Sequence, residues 1–556
     1  MRRITSLPYS ALAALRANPP ERLLIAPQDI RTTDATIASE IYSGYFAFAG
    51  KGVNLHGRSP FEIESPSLGW SRALNSFGWL RHLRAADTAL ARANARALVD
   101  DFLTAAEKSN GGVAWEPRVV VRRTLSFLSQ SPIILESADR AFYRRFMRAL
   151  TRAQIFLERQ IAAGQVTGEE RLFAAIGLAE LSLCMQASGS AQRRSTRLLA
   201  EELDRQIRPD GGHISRNPNT LVRLLVDLLP LRQAYAARAV SPPPQLLNAI
   251  DRMLPMLRML RHGDGTLALF NGMGITAPDI LATLLAYDDP RAKPLFNAPH
   301  SGYQRVEAGP SLLIVDAGKA PPPEFSSLAH AGCLSFEFSV GPQRLVVNCG
   351  APDANRTAAR RAARATAAHS TLVIDDTSSC RFARQKGLEA YLGDEILAGP
   401  TQVAIERQAL PMRTRLLLAH DGYRPRFKLI HERRLTLSAD GMRLEGEDRL
   451  KAASEKVAPR PFALRFHIHP SVSLQVVLAG RAVLLDLPDK SRWVFSAHDH
   501  PIEIEESIFF ASADGPRPCE QIVVRGHMDQ AAQIAWSLRH LEEDHAERSE
   551  AEAERA

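Results

Sequence analysis

The chain has 556 residues, 45% hydrophobic and 23% charged, with 69 basic against 61 acidic side chains and a formal net charge of +8. Single cores stop growing at roughly 250–300 residues, so this length implies at least two. The five cysteines (Cys184, Cys333, Cys349, Cys380 and Cys519) are scattered and form no CxxC pair, which argues against a disulfide framework and a thiolate zinc site.

The modest basic excess suits a polyanionic partner: nucleic acid, anionic lipid or an acidic polysaccharide. There is no RNP-like motif, zinc-finger spacing or basic helix followed by heptads, so nucleic acid is not expected. The N-terminus, MRRITSLPYSALAALRANPPERLL, begins basic, but Arg16 interrupts its short apolar stretch and Pro19-Pro20 end it. The expectation is no signal peptide, no membrane span and hence a cytoplasmic location on this criterion.

Residues 1–66 read as an N-terminal extension, with a short hairpin over Ile41–Leu55 and glycines at its turns. Residues 67–295 read as helical. In the clearest segment, Asp139 to Ile161, Phe142, Phe146, Leu150, Ala153, Leu157 and Ile161 recur at spacings of three and four, and Arg144, Arg145, Arg148 and Arg152 occupy a solvated face. Similar segments span 85–107, 168–187, 191–207, 219–237, 245–260 and 277–287. Asn110-Gly111-Gly112, Ser188-Gly189-Ser190, Pro209-Asp210-Gly211-Gly212 and Pro242-Pro243-Pro244 separate them. Helices joined so briefly pack as antiparallel pairs; no fixed sequence repeat selects a solenoid over a bundle or toroid.

Residues 296–540 turn to strands, including Ser311–Val315, Ala368–Asp375, Phe427–Ile430, Arg443–Gly446 and Phe462–Ile468. Helices followed by strands indicate separate layers or domains, here a large antiparallel sandwich. The charged tail, 541–556, reads as a frayed helix end or disorder. Leu334, Phe336 and Phe338 alternate with Ser335, Glu337 and Ser339, as in a half-buried strand. His330 precedes this strand, and His369 precedes the next apolar run. Arg356, Arg360, Arg361 and Arg364 lie between them.

Four loop clusters in the helical half carry side chains that suit a sugar cleft, since rings stack on sugars and guanidiniums grip carboxylate or sulfate. They hold Asn75, Trp79 and His82; Trp115, Glu116, Arg118 and Arg122; Gln206, Asp210, His213, Arg216 and Asn217; and His262, Asp264 and Asn271. Turn chemistry is the competing reading for Asp210-Gly211 and Asp264-Gly265. In RFHIHP, strand alternation puts Arg465, His467 and His469 on one face, an H-x-H that packing or solvent exposure explains more readily than metal. No GxSxG elbow is present.

AHAGCLSFEF, VVNCG and RATAAHSTLVIDD, with PDGGHISRNP and HGDGTLALFNG before them, resemble the heparinase II/III-like family of polysaccharide lyases over roughly residues 70–520. The resemblance implies an α+β multidomain chain: an N-terminal α/α toroid (an incomplete barrel), then a C-terminal antiparallel β-sandwich. It also implies β-elimination on uronic-acid polysaccharides and a periplasmic or cell-envelope location. Elimination requires a neutraliser for the uronate, a base for the C5 proton and an acid for the leaving oxygen. The candidates are His369, His330 and His213 for catalysis, and Asn217, Arg216, Trp115, Arg118, Asn75 and His82 for substrate. His330, His369 and Asn348 form a weak candidate zinc set.

Four positions depart from the family pattern: Gly332 and Asn348 stand where carboxylates are usual, and Thr220-Leu221 where a Tyr-His pair is usual. Tyr303 and Tyr423 are the substitutes considered. The alternatives are a non-catalytic acidic-glycan-binding protein on the same fold, or a hydrolase using Glu116 and Asp264.

Overall fold

The structure, a computed structural model, describes residues 20–541 except 109–110, 187, 290, 354–355, 384–386, 388–392, 499 and 529–531. The N-terminal segment 1–19, Asn110 and the tail beyond 541 therefore lie outside the described residues. Two compact units are present. One draws its described residues from Met1–Gly211, Val222–Leu254 and Asp279–Pro290, the other from Gly212–Leu221, Pro255–Pro278 and Arg291–Ala556. The sheet unit thus takes in two segments, 212–221 and 255–278, that fall inside the stretch read as helical.

The helical unit follows the apolar periodicity. Helix Arg140–Ala162 starts where the Asp139 carboxylate accepts the Phe142 N–H at 2.8 Å, and it buries Phe142, Phe146, Leu150, Ala153 and Leu157. Ser67 and Ser188 cap helices Leu68–Ser76 and Gly189–Gln206 in the same way. Helix Glu169–Cys184 is buried from Leu172 to Cys184, because Pro117–Ser129, Arg140–Ala162 and Gly189–Gln206 all pack against it. The unit is built of helices packed on one another, the architecture of an α/α toroid. The N-terminal hairpin is shorter than the pattern suggests: Ile41 and Tyr42 end helix Ala35–Tyr42, and the paired strands are Tyr45–Phe48 and Lys51–Asn54.

The sheet unit is an antiparallel sandwich. One sheet runs, in spatial order, Ile502–Phe509, Arg517–His527, Pro461–Ile468, Gln343–Val347, Phe336–Val340, Ser311–Asp316, Tyr303–Ala308 and Asn297–Ala298, with Leu372–Ile374 also paired to Pro461–Ile468. The other runs Val403–Leu410, Arg413–His420, Leu429–Ser438, Arg443–Ala452, Gln533–Leu541, Arg492–Ser496, Ala482–Asp486 and Ser473–Val477. Phe336 and Phe466 of the first sheet meet Trp536 of the second, with ring centroids 5.6 and 4.8 Å apart.

The strand around Phe336 differs from the half-buried expectation. Ser335, Glu337 and Ser339 are all fully buried, so both faces of Phe336–Val340 are covered. The apolar face enters the sandwich core, while Glu337 enters a polar network described below.

Trp536 is 1% exposed, and its indole N–H donates to Asp448 at 2.9 Å. A Cβ at Gly446 would lie 2.0 Å from the Trp536 ring, so the neighbouring strand has been cut back to admit it. Trp536→Ala should therefore cost about 3–5 kcal/mol of stability, read as a lower urea midpoint. A loss under about 1 kcal/mol would mean that the two sheets do not depend on this contact.

Candidate functional site

His330 and His369 come together in the sheet unit. Their segments are fixed by the backbone around them: the Ala331 N–H donates to the Arg364 carbonyl, the Thr366 hydroxyl donates to the Ala331 carbonyl, and Leu334 turns with a positive φ of 63°. His330 Nδ1 lies 3.0 Å from His369 Nε2, and His369 Nδ1 lies 2.8 Å from the Ala365 carbonyl oxygen. A carbonyl only accepts, so His369 carries its proton on Nδ1 and offers a lone pair at Nε2. His330 must then donate from Nδ1, leaving its Nε2 as the unprotonated nitrogen. Burial holds the His330 imidazole well below its ordinary value, and the charges of Arg364 and Arg360 add to this. His369 is lowered by burial too. At neutral pH the pair is an uncharged, directional relay.

Asn348 does not face this pair as a free ligand. Its Oδ1 accepts the Ser370 N–H at 2.9 Å, and its Nδ2 donates to Glu337 Oε1 at 3.2 Å. Glu337 also accepts the Asn348 and Leu269 backbone N–H groups, His262 Nε2 at 3.0 Å and the Arg344 guanidinium. Burial opposes its charge, but Arg344 and these hydrogen bonds outweigh burial and keep the carboxyl below its ordinary value. The chain of contacts runs from His262 through Glu337 and Asn348 to the residue after His369.

The donor set does not fit a resident zinc. Two imidazole nitrogens 3.0 Å apart are close to the separation of about 3.3 Å that two ligands of a tetrahedral zinc adopt. The third candidate, Asn348, is a neutral amide whose oxygen already accepts a backbone N–H. Among the described residues no cluster of three His, Cys, Asp or Glu side chains stands ready for a metal. Gly332 shows why an acidic residue is not simply missing: a Cβ there would lie 2.6 Å from His369 Cδ2, so the ring fills the space a longer side chain would need.

The loop 213–217 belongs to the same unit. His213 is buried, its Nδ1 accepting the Ser215 N–H at 3.1 Å, and its ring edges onto Phe325. Arg216, at φ 61°, is spent on the fold: its guanidinium pairs with Asp316, donates to the Ser301 carbonyl at 2.8 Å and the Lys319 carbonyl at 3.1 Å, and stacks over Tyr303. Gly318 makes room, since a Cβ there would meet the guanidinium. Asn217 caps helix Pro218–Ala237 through the Asn219 N–H, and Thr220 and Leu221 are buried in that helix's first turn. Tyr303 donates its hydroxyl to the Arg216 carbonyl and accepts from Asn271. Tyr423 donates to the Leu372 carbonyl at 2.9 Å, and burial raises its pKa.

The other candidates divide between the units. In the helical unit, Asn75 donates to the Ser71 carbonyl, and His82 accepts the Asp34 N–H and is pushed down to about 4 by burial. Trp115 packs edge-on to Phe156 with Arg152 over its ring, and Glu116 binds Arg72 and Arg118. In the sheet unit, Asp264 closes an Asx turn onto Thr266. Arg465 pairs with Glu505, while His467 bonds the Ala367 carbonyl and Ser507, and burial, with the neighbouring His369, pushes it down to about 3. His469 lies beyond the strand end and bonds Ser471.

Sequence reasoning missed Glu337, Asp316 and Arg433. Arg433 donates to the carbonyls of Leu334 at 2.7 Å and Ser370 at 3.0 Å, one beside each histidine segment. In sequence, Glu337 and Arg433 resemble ordinary surface charges on alternating strands, and Asp316 a polar residue closing an apolar run. The only available signal was Glu337 placed between two phenylalanines.

The sequence model of the family described as heparinase II/III-like, C-terminal, matches residues 290–537. FtsZ-localized protein C of Caulobacter vibrioides is 32% identical over 542 residues, covering 93% of this chain and 90% of that protein. The crystal structure of heparan sulfate lyase HepC from Pedobacter heparinus aligns with a TM-score of 0.62 at 14% identity, over 96% of this chain and 87% of that one. The crystal structure of heparinase III aligns at 0.70 and 12% identity, over 95% and 88%. At these identities the likeness to the two lyases is one of fold.

Proposed function

We propose, from the premise that the chain belongs to the heparinase II/III-like family, that it recognises an acidic polysaccharide through the His330–His369 centre without cleaving it by β-elimination. The observation that carries this reading is the commitment of the phenols. Elimination needs a base and an acid, and the histidine pair is one hydrogen-bonded relay. Tyr303 and Tyr423, the described tyrosines of the sheet unit, are both buried and both donate to backbone carbonyls. Thr220 and Leu221 supply neither role. Tyr391 falls outside the described residues.

The test is a panel of uronic-acid polysaccharides, followed both for binding and for ultraviolet absorbance of an unsaturated uronate. Retention of at least one polymer with flat absorbance is the expected result. A rise in absorbance that Tyr391→Phe abolishes would overturn the reading, as would failure to bind any polymer. New reducing ends without the absorbance would favour hydrolysis instead.

A second reading is favoured by the near full-length relative, which is named as FtsZ-localized. Shared localisation with FtsZ is expected for a fluorescent fusion of this chain, and a distribution indifferent to FtsZ depletion would refute it.

A further inference from the structure

Arg356, Arg360 and Arg364 recur every fourth residue along helix Thr357–Arg364 and its N-cap, so the three lie along one face. Arg364 is buried and structural. It donates to the carbonyls of Ala329 at 2.8 Å and Ser326 at 2.9 Å, and its guanidinium lies 4.5 Å above the Phe382 ring. These bonds pin the end of the helix to the backbone just before His330. Arg360, one turn back, is half-buried, and Arg356, a further turn out, is exposed. Among the described residues neither has a carboxylate within ion-pair distance. Favourable charge at a helix C-terminus accounts for Arg361 and Arg364 in the last turn, but it does not account for Arg356 and Arg360 at the other end.

We propose that Arg360 and Arg356 grip successive carboxylate or sulfate groups of an acidic glycan, with Arg360 holding the group nearest His330. The proposal rests on the glycan-recognition reading above and assigns the charges that would select the ligand. Arg364 ties its end of the helix to the Ala329 carbonyl next to His330, so the face carrying Arg360 and then Arg356 leads outward from that histidine. A planar guanidinium matches a carboxylate or sulfate through two parallel hydrogen bonds, which a lysine would not reproduce.

Full-length protein is titrated with heparin and, separately, with polygalacturonate across a range of salt concentrations. The double variant Arg356→Glu/Arg360→Glu is compared with Arg144→Glu/Arg148→Glu, which makes the same charge change on the helix Arg140–Ala162. Roughly ten-fold or greater weakening and a shallower salt dependence are expected for the first pair only. Arg360→Gln should give a smaller loss in the same direction, with an unchanged thermal melt. Equal losses in both double variants, or none in the first, overturn the proposal while leaving glycan recognition standing. Failure of the wild type to bind either polymer overturns both.

Discussion

Lowering the pH from 7 to 5 is expected to unfold the sheet unit, with the denaturant midpoint falling steeply below about pH 6.5. His262, His330, His369, His420, His431 and His467 are all buried, and burial lowers the pKa of each. In the two imidazole pairs the neighbouring ring adds to that resistance, whereas the bonds of His262 to Glu337 and of His431 to Asp448 work against it. Protonating His369 would place an N–H at Nε2 against the N–H of His330. His420 accepts the Gly422 N–H at Nδ1, so it donates from Nε2 to His431 Nδ1, which has no room for a proton either.

The sign follows from linkage. The unfolded chain takes up protons near 6.5 and the folded chain does not, so stability is fully present above that value and is lost as the pH falls toward the folded pKa values. Each such histidine contributes about 1.4 kcal/mol per pH unit in that window. Three of them acting together would remove about 4 kcal/mol per unit from a net stability of about 5–15 kcal/mol. Glu337 and Asp448, both held below their ordinary values, act in the same direction at still lower pH. A midpoint unchanged between pH 7 and pH 5 would show that the histidines titrate freely in the folded protein.

How far the sequence revealed this arrangement depends on the kind of signal. Helix Arg140–Ala162 was legible almost to the residue because a surface helix repeats its apolar stripe over many turns. Residues 368–375 were not, since Thr366–Ala368 form a tight turn and only Leu372–Ile374 pair in the sheet. Periodicity failed at Glu337 because a buried ion network alternates with core residues just as a solvated face does. The pairing of His330 with His369 was suggested by motif order, while composition and spacing carried no trace of it. Arg433 and Asp448, distant in sequence from both histidines, left no local mark. Their role exists only once the two sheets are stacked.

Those two residues yield the last expectation. Asp448 Oδ1 accepts from His431 at 2.6 Å and Arg433 Nε at 2.7 Å, and its Oδ2 accepts from Arg433 Nη2 at 3.1 Å and Trp536 at 2.9 Å. With both oxygens filled, Arg433 still has Nη1 for the Leu334 and Ser370 carbonyls. Arg433→Met would leave a buried carboxylate with its cation removed and two carbonyls unsatisfied, so about 3–5 kcal/mol should be lost. Arg433→Lys should recover little, because an ammonium cannot span the carboxylate and two carbonyls at once. Adding Asp448→Leu to Arg433→Met should restore part of the loss by removing the stranded charge, a coupling that equilibrium denaturation of the four-variant cycle measures. Polysaccharide binding by the double variant should stay weak even where stability returns, because Arg433 ties the backbone beside each histidine. Full recovery of binding along with stability would mean that the histidine pair holds its geometry without the Arg433 brace.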